Sequence, residues 1–137
     1  MAYEIEVAII VIVGAAVASI CTYLVKKYIS SLSQLRRTIS EVLYAMNKYA
    51  NVFLDPANDA DHLEVSDIFR SLASKLQQQL YLVKYPRVGV IFRQIPSKKD
   101  IDSACRELIG ISNNMLHQGY MSEIHESSEK IKKLLKI

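Results

Sequence analysis

The residues of this chain whose types can do chemistry are three histidines, two cysteines and a loose acidic run, and their spacing supports no reaction. His62, His117 and His125 stand apart. None has a ligand-like partner: there is no Cys-x-x-Cys pair, no His-Glu-x-x-His and no carboxylate cluster on one helix face. Asp55, Asp59 and Asp61 have the spacing of a calcium-loop fragment, but the glycine and the closing glutamate of such a loop are missing. Four glycines in the whole chain build no phosphate-cradling loop, and no nucleophile elbow occurs. Cys21 lies in a hydrophobic run and Cys105 far along the chain, so no disulfide framework is expected and a reduced, cytoplasmic setting is the simpler one. These residues predict a protein that is not an enzyme, with no catalytic residue, no metal and no cofactor.

Charge offers a second kind of chemistry. No acidic residue occurs from Ile68 to Lys99, where Tyr81, Tyr85 and Phe92 are interleaved with basic side chains. Arg70, Lys84, Arg87, Arg93, Lys98 and Lys99 form a candidate basic surface, with Lys75 in the same stretch. Basic side chains with aromatics can hold a nucleic-acid backbone and stack bases. They equally suit anionic lipid or a protein partner. Solvated helix faces are the plainest account of them, and nucleic acid the least favoured partner.

The element that must position everything else is the run Val7–Val25, VAIIVIVGAAVASICTYLV, nineteen residues without a charge. At about 1.5 Å per residue it has roughly the length needed to cross the hydrocarbon core of a bilayer. Glu4 and Glu6 precede it and Lys26 and Lys27 close it. An acidic lead-in argues against a cleaved signal peptide, and a buried core helix is the remaining competitor. The net charge is +3, and with Glu4 and Glu6 on the outer side residues 26–137 carry +5. Lys26, Lys27, Arg36 and Arg37 set the orientation: amino terminus outside, the rest in the cytoplasm at the inner membrane. The expected division is a tail and span over residues 1–27 and a helical bundle over 28–137, near the usual size of one domain.

The carboxyl half of the span is crowded with small residues. Gly14 with Ala18 and Ala15 with Ser19 are small-xxx-small pairs, and Thr22 extends the face. Such pairs let helices approach closely in lipid, and Ser19 and Thr22 also suit a wet lumen. Beyond the span, Leu35, Ile39, Val42, Met46, Tyr49 and Phe53 recur in steps of 4 and 3, a heptad seam broadened by Leu32, Leu43 and Ala50. This seam serves either packing within the bundle or contact between subunits. One helix is predicted from the membrane to about Leu54, with Ser30-Ser31 as the place for a bend.

Asp55 to Asp61 reads as a turn around Pro56. Asp61 and Glu64 have capping-box spacing for a helix running to about Lys84, with Val65, Ile68, Phe69, Leu72, Leu76, Leu80 and Val83 as its apolar face. VGVIF has strand composition but no partner strand, so a short helical turn or packed connection is expected over Arg87 to Ile95. Ser97 and Asp100 cap a helix that buries Ile101, Ala104, Cys105, Leu108, Ile111, Ser112 and Met115 and ends at Gly119. A last helix from about Met121 buries Ile124, Ile131, Leu134 and Leu135 and gathers lysines at its carboxyl end. The polar run Ser112, Asn113, Asn114 on the apolar helix predicts packing or a buried hydrogen bond. The fold class is all-α: one membrane helix continuing into a bundle of about four helices.

The segment DIDSACRELIGISNNMLH, Asp100 to His117, preceded by Pro96-Ser97, resembles small bacterial single-span helical proteins, among them the accessory membrane protein of type VI-B CRISPR systems. Arg106, Glu107, Leu108, Ile109, Gly110, Ser112 and Asn113 carry the resemblance. It implies a HEPN-like bundle and an oligomeric membrane pore that depolarises the host membrane in antiphage defence. The HEPN ribonuclease signature, an arginine followed four to six residues later by histidine, is absent, since Arg106 and His117 are too far apart. The function expected is therefore a self-associating single-pass membrane protein acting as a pore. The alternatives are a membrane-tethered adaptor for a cytoplasmic protein and, third, a membrane-anchored nucleic-acid binder. Expected partners are copies of itself and the lipid bilayer.

Overall fold

Forty-seven consecutive residues, Ala2–Lys48, form helix α1. The computed structural model describes residues 2–52, 59–84, 86–91, 94–115 and 121–136. Within them the other elements are α2 (Asp59–Leu82), α3 (Pro86–Ile91), α4 (Lys98–Asn114) and α5 (Met121–Leu134), and there is no strand. The fold is all-α.

α1 has two halves in different environments. Every residue from Tyr3 to Lys27 is exposed. The apolar window in this half has a mean hydropathy of 2.5 and none of it is buried. A core helix of the same composition would be covered by its neighbours. This stretch is long and apolar enough to span a membrane. Burial begins at Leu32 and continues through Leu35, Ile39, Val42 and Met46. The helix is unbroken through Ser30-Ser31, where the Ser31 hydroxyl donates to the Lys27 carbonyl at 3.0 Å. A serine that back-bonds one turn earlier leaves the helical ladder intact.

The second half of α1 packs on α2, α2 on α4 and α4 on α5, with α5 returning to α1. Glu41 meets Lys75 and Tyr49 meets Phe69, Ser66 meets Ser112 and Ala73 meets Cys105, and Glu107 meets Lys130 and Asn114 meets Glu123, so successive long helices run antiparallel. Phe69, Leu76, Ile101, Leu108, Ile111, Ile131 and Leu135 fill the interior at near-zero exposure. The predicted apolar faces are the buried ones, except that Leu43, Tyr49, Ala50, Ile68, Leu72 and Leu134 are only half-buried. Ser66, Ala73 and Ser128 are buried beyond expectation.

Several boundaries differ from the sequence reading. α1 stops at Lys48 rather than Leu54. Ala50 N–H donates to Asn47 O at 3.4 Å and Val52 N–H to Tyr49 O at 3.0 Å. This three-residue pattern tightens and ends the helix, beside asparagines that favour helices weakly. α2 begins at Asp59, so the last three residues of the expected turn are helical. α2 ends at Leu82, and Arg87 to Ile91 is helical within α3, with Pro86 in the first-turn position it suits. Ser97 caps α4: its Oγ accepts from Asp100 N–H at 3.1 Å and donates to the Asp100 carboxylate at 2.6 Å. The expected roles of Phe53, Tyr85, Phe92, Arg93, His117, Gly119, the Asp55–Pro56 turn and the Asp61 side chain lie outside the described residues.

Candidate functional site

Two surfaces stand out, one on the exposed half of α1 and one at the end of the bundle nearest to it. On α1, Gly14, Ala15, Ala18, Ser19 and Thr22 are all exposed. Ser19 Oγ donates to Ala15 O at 2.9 Å, and Thr22 Oγ1 to Ala18 O at 2.8 Å. Both hydroxyls are thus satisfied inside their own helix, so the face has no polar group that lipid would strand. A Cβ added to Gly14 would meet nothing within 4 Å. Glycine in a helix interior costs about 1 kcal/mol against alanine, and no contact among the described residues calls for it there.

The heptad seam has a different fate. Leu35, Ile39, Val42 and Met46 are buried inside the same chain, and Tyr49 meets Phe69 edge-on at 6.1 Å between ring centroids. These residues therefore form the bundle core. Glu41 binds Lys75 at 2.5 Å and Arg37 Nε at 3.4 Å. The hydrogen bond from Lys75 holds the Glu41 carboxyl below its ordinary range and ties α1 to α2.

The basic residues divide. Lys84 and Lys98 line one groove of about 450 Å³ between the end of α2 and the start of α4, with Tyr81, Asp102 and Arg106. Lys98 Nζ lies 6.0 Å from the centre of the Tyr81 ring. Arg87 and Lys98 border a second depression along α3, with Val90 and Ile91. Lys99 is exposed beside them. Arg70 is elsewhere: its Nη2 donates to Asn113 Oδ1 at 3.1 Å, near the opposite end of α4. The pairing of Glu107 with Lys130 runs α5 back alongside α4, so the exposed Lys133 and Lys136 come to the same end as Lys84 and Lys98. Arg106 lines the groove with Lys84 and Lys98 and was missed by the sequence reading. The spacing of Lys98, Asp102 and Arg106, four residues apart each time, was the available signal for Arg106.

α3 closes that end against α1. A Cβ on Gly89 would stand 2.9 Å from Leu32 Cδ1 and 3.0 Å from Ile95 Cγ1. Only a hydrogen at that position lets α3 lie so close. Val88 and Gln94 share a groove with Tyr28, Ile29 and Arg36.

The polar run on α4 holds the bundle together. Ser66 Oγ lies 2.8 Å from Ser112 O and 2.9 Å from Ser112 Oγ, with both serines buried. Asn114 Nδ2 donates to Glu123 Oε2 at 3.4 Å. Glu107 accepts from Ser127 Oγ at 2.9 Å and pairs with Lys130. Most residues that carry the sequence resemblance thus have packing or bridging roles in this bundle. No family model, curated protein or solved structure matches the chain. Among the described residues, no three histidines, cysteines or carboxylates gather as a metal site. Burial, with Asp102 adding to it, pushes the Cys105 thiol up to about 11, so it stays protonated and unreactive at neutral pH.

Proposed function

We propose that the chain is a self-associating single-pass membrane protein, with the exposed half of α1 in the bilayer and the bundle on the cytoplasmic side. The observation that carries this reading is the contrast within α1. One half is apolar, wholly exposed and small-faced, with its hydroxyls internally satisfied, and the other half is consumed by its own core. Because the heptad seam is buried within the chain, association rests on Gly14, Ala15, Ala18, Ser19 and Thr22. Helices in lipid gain from close backbone approach along such a face. Lys26, Lys27, Arg36 and Arg37 favour a cytoplasmic bundle.

Packed spans either enclose a conducting lumen or form a plain anchor for an adaptor. Ser19 and Thr22 suit the wet lumen of a pore, and an antiphage effector role follows only with it, from the resemblance of Asp100–His117. Dye release from proteoliposomes separates the two. A pore releases dye, and Gly14→Leu/Ala18→Leu abolishes the release while leaving insertion intact. No release by the wild-type chain refutes the pore and leaves the tethered adaptor.

A further inference from the structure

We propose that the outward face of α3 is an interfacial lipid-binding surface that seats on anionic headgroups of the leaflet into which Lys26 and Lys27 emerge. It rests on the reading that α1 spans the bilayer, and adds a second point of membrane contact to it. Four observations lead there.

The first is level. Gly89 packs on Leu32, seven residues beyond Val25, or ~10 Å of helix rise. Each headgroup layer is ~5–8 Å thick outside the hydrocarbon. α3 is therefore held at the outer edge of that layer, within reach of long side chains. The second is apolarity in the wrong place for a solvated helix. Val88 is 41% exposed and Ile91 75% exposed on a helix of six residues. Three residues apart, they share one side of it, and Arg87 flanks that side, about 40° beyond Ile91 on the helical wheel. The third is continuity. Val88 lines the same groove as Ile29, itself 57% exposed and one turn past the end of the apolar run. The apolar surface of α1 thus continues onto α3. The fourth is charge. Lys84, Arg87, Lys98 and Arg106 border α3 and the grooves beside it, with Asp102 the one acidic side chain lining them, and no acidic residue occurs from Ile68 to Lys99.

An apolar centre with a cationic rim, beside a membrane span, matches the interfacial arrangement in which apolar side chains dip below phosphates that the cations bind. Nucleic acid would use the cations but gives Val88 and Ile91 no role. A protein partner would need its own acidic rim and would have to approach at headgroup level.

The test uses the full chain with Cys21→Ala and Cys105→Ala, reconstituted in vesicles of phosphatidylcholine alone or mixed equally with phosphatidylglycerol. Single cysteines at Ile91→Cys, at Leu24→Cys in the span and at Ser122→Cys on α5 carry an environment-sensitive dye. Lipid-borne quenchers report depth. The expected result is deep quenching at 24 in both vesicles, no quenching at 122, and shallow quenching at 91 that depends on phosphatidylglycerol. Each of Lys84→Gln, Arg87→Gln and Lys98→Gln is expected to reduce the seated population about fivefold. Because these are surface substitutions, far-UV circular dichroism should be unchanged, and the lipid dependence of the wild-type charges tests the proposal without them. Position 91 as unquenched as 122, with 24 quenched, overturns the proposal and leaves the membrane span standing. No quenching at 24 removes the span and this proposal with it. A dye shift at 91 in phosphatidylcholine vesicles that grows with protein density, or one produced there by added RNA, assigns the face to another copy or to nucleic acid and equally overturns it.

Discussion

Gly89→Ala sets two effects of known size against each other. Alanine in a helix gains about 1 kcal/mol over glycine from backbone propensity. The added Cβ would stand 2.9 Å from Leu32 Cδ1, and 3.0 and 3.1 Å from Ile95 Cγ1 and Cδ1, where carbon contacts settle at about 3.5–4.0 Å. Ile95 must give by a few tenths of an ångström and the Leu32 methyl must swing aside, and both side chains are buried, at 2% and 5% exposure, which limits where they can go. Overpacking of this kind costs about 1–3 kcal/mol. With both neighbours confined by burial the clash offsets the propensity gain and exceeds it, for a net loss of up to ~2 kcal/mol. In a domain of this size each kcal/mol moves Tm by about 4 °C or more. Thermal unfolding of the full chain in detergent, followed by circular dichroism, should therefore show Gly89→Ala several degrees below wild type and Gly89→Val lower still. Leu32→Ala removes the nearest atom. In that background Gly89→Ala should become neutral or stabilising, a coupling of about 0.5–3 kcal/mol. A rise in Tm for Gly89→Ala alone, or strict additivity in the cycle, refutes the close packing of α3 on α1.

Ser66→Ala leaves the buried Ser112 hydroxyl without its cross-helix partner and should cost about 1–3 kcal/mol in chemical denaturation, whereas Ser66→Ala/Ser112→Ala should cost less than the two single changes together. Glu107 is held below its ordinary value of 4.5, first by the hydrogen bond from Lys130 and further by Ser127. A depressed carboxyl contributes stability that is present above its unfolded value and lost as pH falls through the folded one. Wild type should therefore lose stability on acidification from about pH 5 downward, and Glu107→Gln should flatten that limb in urea titrations at stepped pH.

Much of the fold was legible because its signals are local. The uncharged run Val7–Val25 and the apolar steps from Leu35 to Met46 lie in one unbroken helix, since no breaker intervenes. Ser97 and Asp100 announced the start of α4 by side-chain geometry alone. The helix ends were less legible: whether Asn47 to Val52 continues α1 depends on a switch of backbone bonding that no single residue dictates. The heptad seam had two possible partners by pattern, and only tertiary packing assigned it to the core. The basic surface was half legible. The absence of acid from Ile68 to Lys99 marked it. The separation of Arg70 and the arrival of Lys133 and Lys136 at the same end of the bundle depend on the antiparallel order of α2, α4 and α5, which composition does not encode. Gly89 gave no signal, because its requirement is set by Leu32, fifty-seven residues away.

The particle mass of the full chain in detergent tests the central claim most directly, because nothing among the described residues contacts a Cβ at position 14. The wild-type protein should form a closed oligomer of defined size, and Gly14→Leu/Ala18→Leu should shift it to smaller species with the same helical spectrum and the same bundle unfolding. A wild-type monomer, or an oligomer of unchanged size in the double variant, would contradict association through the small-residue face of α1.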